Sequence, residues 1–70
     1  MNIFHKGDRV KLNSSLLRYN ANKHWIGKHG TVLNQSGSYL NIKWDHLEKP
    51  QLDPMEFIEH VYDSNKNLIN

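Results

Sequence analysis

The sequence predicts a small all-β domain of four or five short strands, and three patterns lead to this prediction. Apolar Val10 and Leu12 alternate with basic residues early in the chain. Residues 30–45 contain two runs typical of strands, separated by Ser-Gly-Ser, and the second alternates Leu40, Ile42 and Trp44 with other residues, which is typical of a β-hairpin. Two prolines enclose the segment 51–53, and because proline cannot donate to a strand ladder, this segment suits a short or edge strand.

The first strand is expected within residues 7–13, where one face is apolar and the other is basic. The following residues break the alternation and predict a long loop from Asn13 to Ile26. Within this loop, Ser14 or Ser15 is expected to cap a single helical turn, which the sequence Asn-Ala-Asn then ends.

The hairpin that follows is predicted to place Gly37 in its turn and alternate residues of its second strand in the core. After Pro54, the sequence Met-Glu-Phe suits one tight helical turn, and the next five residues suit a closing strand. Residues 1–62 are thus expected to form one domain, and residues 63–70 lack periodicity and are expected to fray. The predicted core comprises Val10, Leu12, Val32, Leu40, Ile42 and Trp44, closed by Phe57, Ile58 and Val61.

Gly27 and Gly30 lie three residues apart, directly before the run Thr-Val-Leu, which begins with two β-branched residues. They predict a sharp turn that presents Lys28 and His29 at its tip. Gly30 is expected to need a backbone conformation that other residues resist. A phosphate-binding loop of the Walker type is excluded, because Gly30 is followed by threonine and a predicted strand rather than by Lys-Ser/Thr and a helix.

The charge of the chain is unevenly distributed, although its net value is only +2. Residues 1–43 carry seven basic residues against one acidic residue, a net charge of +6. Residues 44–70 carry two basic residues against six acidic ones, a net charge of −4. This asymmetry favours one surface that attracts polyanions and another that repels them, unless folding interleaves the two halves.

The chain has no cysteine, which excludes disulfides, thiolate metal sites and cysteine nucleophiles. No apolar run approaches the roughly 20 residues of a membrane span, and the first ten residues lack the apolar segment of a secretory signal. A soluble, cytoplasmic protein without membrane contact is therefore expected. A chain of 70 residues supports only one modest core, so self-association is also an open expectation.

Three segments occur in a characteristic order: KGDRVKL (6–12), IGKHGTVL (26–33) and YLNIKWD (39–45). Together they resemble the KOW motif and its SH3-like barrel relatives, in which Gly-Asp precedes the first strand and Gly-x-x-Gly-x-Val forms the next turn. The resemblance implies a five-stranded bent barrel with a short helical turn before the last strand, and the residues themselves add a long first loop. It also implies RNA or DNA, RNA polymerase or a ribosome component as partners. The long loop departs from the typical KOW spacing.

Basic and aromatic residues are interleaved on the predicted outward strand faces and loop tips. Basic groups contact phosphates, and aromatic rings stack on unpaired bases. The sequence therefore predicts a nucleic-acid-binding module that uses a basic strand face and the Gly27–Gly30 turn. The alternative is that the lysines only solvate the outer face and that Trp25 packs beneath the loop. The candidate nucleic-acid contacts are Arg9, Lys11, Trp25, Lys28, His29, Tyr39 and Lys43.

The alternative function is a protein-interaction module that uses the acidic C-terminal half or an open sheet edge. Catalysis is not expected. Type II dihydrofolate reductases are also SH3-like barrels of this size, but where their signature reads Val-Gln-Ile-Tyr, residues 50–53 read Pro-Gln-Leu-Asp, and the aspartate would repel an anionic cofactor and substrate. No metal or other cofactor is expected, because the five histidines show no ligand spacing.

Overall fold

The computed structural model describes residues 3–62, 65 and 67–69. Five strands form one antiparallel sheet in the order β4-β3-β2-β1-β5. The all-β prediction is thus confirmed. The strands are β1 (Arg9–Leu12), β2 (Gly30–Ser36), β3 (Tyr39–Trp44), β4 (Gln51–Pro54) and β5 (Ile58–His60).

The long loop between β1 and β2 contains a 3₁₀ helix at Asn20–Trp25. The predicted turn after Asn13 ends at Tyr19, whose backbone is extended, but Asn-Ala-Asn then begins this 3₁₀ helix, which was not predicted. The side-chain amide of Asn22 donates to the carbonyl of Leu16 at 2.8 Å and ties the two turns together. The predicted serine cap is wrong. Asn13 takes that role, and its side-chain oxygen accepts from the backbone N–H of Ser15 at 2.9 Å.

A second 3₁₀ helix, at Met55–Phe57, follows Pro54 and forms the predicted tight turn before β5. The backbone N–H of Met55 donates to the carbonyl of Ser38 at 2.9 Å, so this turn is tied to the start of β3. Phe57 was predicted in the core, but it is 42% exposed, because Ile58 takes the inward position and neighbouring residues point to opposite sides. Neither 3₁₀ helix, nor any other helix in the part of the chain described, is long and apolar enough to cross a membrane.

The core lies on one face of the sheet and is built mostly from the predicted alternation. Leu12 differs from the prediction and is only partly buried, because it lies beyond the last β1–β2 pair and pairs only with Ile58 of β5. Phe4 was not predicted, and it is buried with its ring stacked on His60 at 4.5 Å between centroids. The buried apolar residues are Phe4, Val10, Val32, Leu40, Ile42, Trp44, Ile58 and Val61.

The two glycines of the turn before β2 are required for different reasons. Gly27 has a φ of +79°, a left-handed conformation that side chains disfavour. Gly30 has no such φ, so the prediction of a special conformation there is wrong. A Cβ at Gly30 would lie 2.7 Å from Cγ2 of Ile42 and 3.1 Å from the Cα of Trp44, so this position needs a residue without a side chain.

Part of the C-terminal segment runs back along the end of β5. Tyr62 and Leu68 form an isolated antiparallel bridge. The backbone N–H of Ile69 donates to the carbonyl of Val61 at 3.0 Å. Of the segment that was predicted to fray, residues 63, 64, 66 and 70 lie outside the described residues.

Candidate nucleic-acid interface

Three of the predicted cations share one face of the sheet. The register pairs Arg9 with Thr31 and Thr31 with Lys43, and cross-strand partners project to the same face. Lys11 lies two residues beyond Arg9 on β1 and therefore also belongs to that face. Arg9, Lys11 and Lys43 are called the strand-face cations below.

Arg9 is held by a carboxylate from the acidic half of the chain. Its Nη1 donates to Oδ1 of Asp45 at 3.0 Å, and its Nη2 donates to Oδ2 of the same side chain. These hydrogen bonds raise the pKa of Arg9 and lower the pKa of Asp45, and the Coulomb attraction between the two groups adds a smaller effect in the same direction. Nη1 also donates to Oγ1 of Thr31 at 2.7 Å. The guanidinium is therefore already engaged in a forked contact of the kind it would make with a phosphate.

Lys11 is paired with Glu59, its cross-strand neighbour on β5. The distance from Nζ of Lys11 to Oε1 of Glu59 is 3.5 Å. The same oxygen accepts from the backbone N–H of Ser14 at 3.0 Å and from its hydroxyl. Glu59 thus links β1, β5 and the start of the long loop, and the charge of Lys11 is balanced within the fold.

Lys43 is half-buried and is bound by main-chain carbonyls. Its Nζ donates to the carbonyl of Trp44 at 2.9 Å and to the carbonyl of Leu47. These contacts secure the connector that leaves β3. Lys43 therefore has a structural role that its place in an alternating strand did not predict.

A second cluster lies at the end of the long loop, outside the sheet. The 3₁₀ helix ends in Lys23, His24 and Trp25, and the turn that follows carries Lys28 and His29. These five residues are called the turn surface below. Neither lysine side chain forms a hydrogen bond or an ion pair with the described part of the chain.

Trp25 packs over the exposed edge of the core. Its ring meets the buried ring of Trp44 edge-on at 4.9 Å between centroids. His46 contacts it at 5.2 Å and nearly perpendicular, and His24 lies 5.6 Å away. The indole is therefore oriented by three aromatic neighbours while it stays only partly buried.

A shallow groove of about 280 Å³ lies beside the tip of the turn and is lined by Gly27, Lys28, His29, Asp45 and His46. The backbone N–H of Asp45 donates to the carbonyl of His29 at 2.9 Å, which joins the turn to the end of β3. The Asp45 carboxylate faces Arg9, so Lys28 is the cation of this groove without a partner among the described residues.

Tyr39 is separated from the other predicted contacts. It begins β3, whereas Lys43 and Trp44 end it, so about five residues of extended strand, or roughly 16 Å, lie between them. Tyr39 is 48% exposed and pairs in register with Pro54. The structure thus brings Trp25, Lys28 and His29 together and leaves Tyr39 at the opposite end of the sheet.

The sequence did not predict Asp45, Glu59 or His46 as parts of this region. Their contribution depends on contacts between distant segments, and Arg9 and Asp45 are 36 residues apart in the chain. The only available signal was the acidic composition of residues 44–70, which did not identify individual partners. Among the described residues, no group of three or more histidine, cysteine or acidic side chains is arranged to hold a metal ion.

Comparison with known proteins finds no family model, no curated protein and no solved structure that matches this chain.

Proposed function

We propose that this protein is a non-catalytic binding module that associates with nucleic acid through its turn surface. The observation that carries the proposal is the ammonium group of Lys28, which has no partner among the described residues. Lys28 lies beside His29 and three residues after the partly buried Trp25. The strand-face cations already have carboxylate or carbonyl partners. A phosphate would have to displace those partners, so phosphate contact is favoured at the turn surface.

The expected affinity is modest and depends on salt. Each phosphate contact releases condensed counterions, and for a single strand the logarithm of affinity falls with the logarithm of salt by about 0.7 per contact. Contacts from Lys23 and Lys28 therefore give a slope of about −1.4. Stacking of an unpaired base on Trp25 adds affinity that does not depend on sequence. Such a module is suited to work within a larger assembly that supplies further contacts.

We also propose that the sheet belongs to an SH3-like barrel of the KOW type. The proposal is supported by the strand order β4-β3-β2-β1-β5 and by the 3₁₀ helix between β4 and β5. The loop between β1 and β2 is longer than the typical KOW spacing and does not support it. Domains of the KOW type commonly bind RNA, ribosomal components or RNA polymerase. A role beside the transcription or translation machinery is therefore part of the proposal.

The proposal is tested by titrating the full chain with single-stranded RNA, single-stranded DNA and duplex DNA at two salt concentrations. We expect salt-dependent binding and a preference for single strands. Trp25→Leu is expected to weaken the binding of single strands more than that of duplex, because only unstacked bases offer a face to an aromatic ring. Tyr39→Ala is the matched control, since it removes an exposed ring at the other end of the sheet.

Because Trp25 contacts the core, each variant is first checked by thermal melting, and binding is measured well below its midpoint. The absence of salt-dependent binding to all three nucleic acids would contradict the proposal. An equal loss of single-strand binding in Trp25→Leu and Tyr39→Ala would show that the contact surface is not the turn surface.

A further inference from the structure

A groove of about 530 Å³ lies at the end of the sheet opposite the turn surface. One wall is the hairpin turn 37–39, and the other is the segment 54–56 that forms the second 3₁₀ helix, with Ile58 at the base. The hydrogen bond from the N–H of Met55 to the carbonyl of Ser38 joins the two walls, and Tyr39 pairs in register with Pro54. The two walls of this groove are therefore joined through their backbones, and its volume falls within the range of small-ligand sites.

The lining of this groove combines an aromatic face with one negative charge. Tyr39 is 48% exposed, and its ring contributes an electron-rich surface. Glu56 is exposed and forms no hydrogen bond or ion pair with the described part of the chain. The carboxylates of the two flanking strands, β4 and β5, do have partners. Asp53 accepts from the indole of Trp44 at 2.9 Å, and Glu59 pairs with Lys11.

We infer that this groove binds an arginine side chain presented by a partner protein. A cation is the complementary charge, because Glu56 is the only acidic or basic side chain among the lining residues. A guanidinium can lie flat on the ring of Tyr39 while its edge donates two parallel hydrogen bonds to the carboxylate of Glu56. Pro54 and Met55 offer apolar surface to the aliphatic part of the arginine.

Arginine fits this lining better than lysine does. The guanidinium is planar, stacks on aromatic faces and is less strongly hydrated than an ammonium group. A lysine would place a compact charge near Glu56 and would gain little from the ring. The inference goes beyond the nucleic-acid function and does not depend on it, and it gives the protein-interaction alternative a specific site.

The test is an NMR titration of the full ¹⁵N-labelled chain with N-acetyl-arginine methylamide. The neutral isostere N-acetyl-citrulline methylamide and N-acetyl-lysine methylamide are titrated in parallel. We expect the arginine derivative to shift the backbone amide signals of Ser38, Tyr39, Met55 and Glu56. The lysine derivative is expected to bind about threefold more weakly, and the citrulline derivative to leave these signals unchanged.

Two variants test whether the charge of Glu56 is needed for binding and whether any loss of binding comes from unfolding. Glu56→Gln keeps the shape of the side chain and is expected to weaken binding of the arginine derivative about fivefold. Glu48→Gln is the matched control, because Glu48 is exposed, has no partner among the described residues and does not line the groove. It is expected to leave the affinity unchanged. The same spectra show whether each variant is folded.

Equal shifts with arginine and citrulline derivatives, or equal losses in the two glutamine variants, would overturn the inference. So would a lysine derivative that binds as tightly as arginine, or a single-stranded RNA that shifts the groove signals instead of those of the turn. On separate samples, RNA binding by the wild-type chain is compared with RNA binding by Lys28→Ala, which leaves the groove residues unchanged. A failure of the nucleic-acid function is thereby distinguished from a failure of the arginine site.

Discussion

The strand-face cations and the lysines of the turn surface carry the same charge but have different surroundings. Arg9 and Lys11 are paired with Asp45 and Glu59, which come from the acidic half of the chain. Lys28 has no such partner among the described residues. The number of basic residues in a segment therefore does not measure how much positive charge a ligand meets.

The difference arises from how the two halves of the chain meet in the sheet. β1 lies between β2 and β5, so the basic first strand is placed beside the acidic last strand. The connector after β3 brings Asp45 over Arg9 in the same way. Lys28 shares a groove with Asp45, but the Asp45 carboxylate is bound by Arg9, and the Lys28 side chain has no hydrogen-bond or ion-pair partner among the described residues. Folding thus pairs part of the positive charge of the first half of the chain and leaves the charge of Lys28 without a direct partner among the described residues.

The largest expected effect tests the sheet on which both regions rest. Ile42 is fully buried in β3, directly beneath the strand face. Ile42→Ala is expected to lower the free energy of unfolding by about 2–5 kcal/mol, because it removes buried methyl groups and leaves a cavity. Leu52→Ala is the control, since Leu52 is 60% exposed, and its effect should stay within about 0.5 kcal/mol. Chemical denaturation measures both, and a near-silent Ile42→Ala would contradict the described core.

A smaller loss of stability is expected from substitutions at the two glycines that flank Lys28 and His29 of the turn surface. Gly30→Val places a side chain against Ile42 and the backbone of β3, and it is expected to destabilise the fold by about 1–3 kcal/mol. Gly27→Ala meets no neighbour within 4 Å, and its cost comes from the left-handed backbone alone, about 1 kcal/mol. Thermal melting ranks the two variants. A larger drop in melting temperature for Gly27→Ala would contradict this ranking, because it would mean that the left-handed backbone at Gly27 matters more than the close packing at Gly30.

The Arg9–Asp45 pair is expected to contribute the least to stability and to depend on pH. Asp45 is largely exposed, so solvent screening limits the pair to less than about 1 kcal/mol at neutral pH. Its pKa is lowered in the folded state, so the unfolded chain takes up the proton more readily. The contribution is therefore present above the unfolded pKa of about 4 and is lost as the pH falls through the lower folded value.

This pH dependence is measured by comparing the wild-type chain with Asp45→Asn in urea denaturation between neutral pH and about pH 2. The wild-type advantage should shrink on acidification, because protonation removes the charge that the variant already lacks. A difference in stability that stays constant over this range would contradict an ionic contribution from the pair.

The sequence was sufficient for the strands and much less so for the contacts between distant segments. Alternation placed Val10, Leu40 and Ile42 in the core, because every second strand residue faces the same side. Phe57 was misplaced, because the adjacent Ile58 takes the inward position at the start of β5. Phe4 was missed, because no pattern marks a residue that becomes buried by stacking on His60.

The candidate site shows the same limit. Alternation along β1 predicted that Arg9 and Lys11 share a face but could not extend that face to another strand. The register shows that Lys43 also belongs to it, because Thr31 pairs with both Arg9 and Lys43. Their partners depend on tertiary contacts, and Asp45 approaches Arg9 across 36 residues of chain. The period of a strand was therefore enough to place two cations of one strand on the same face, whereas the cross-strand neighbours and the ionic partners required the fold.

The measurement that tests the central claim most directly is the salt dependence of single-stranded RNA binding by Lys28→Ala and Lys11→Ala. These variants remove the same side chain from the two regions. Lys28→Ala is expected to reduce the magnitude of the salt slope by about 0.7, the value for one phosphate contact on a single strand, whereas Lys11→Ala leaves it unchanged. An equal reduction in both variants, or a reduction only in Lys11→Ala, would contradict the claim that the turn surface, whose lysines have no partner in the described part of the chain, carries the binding.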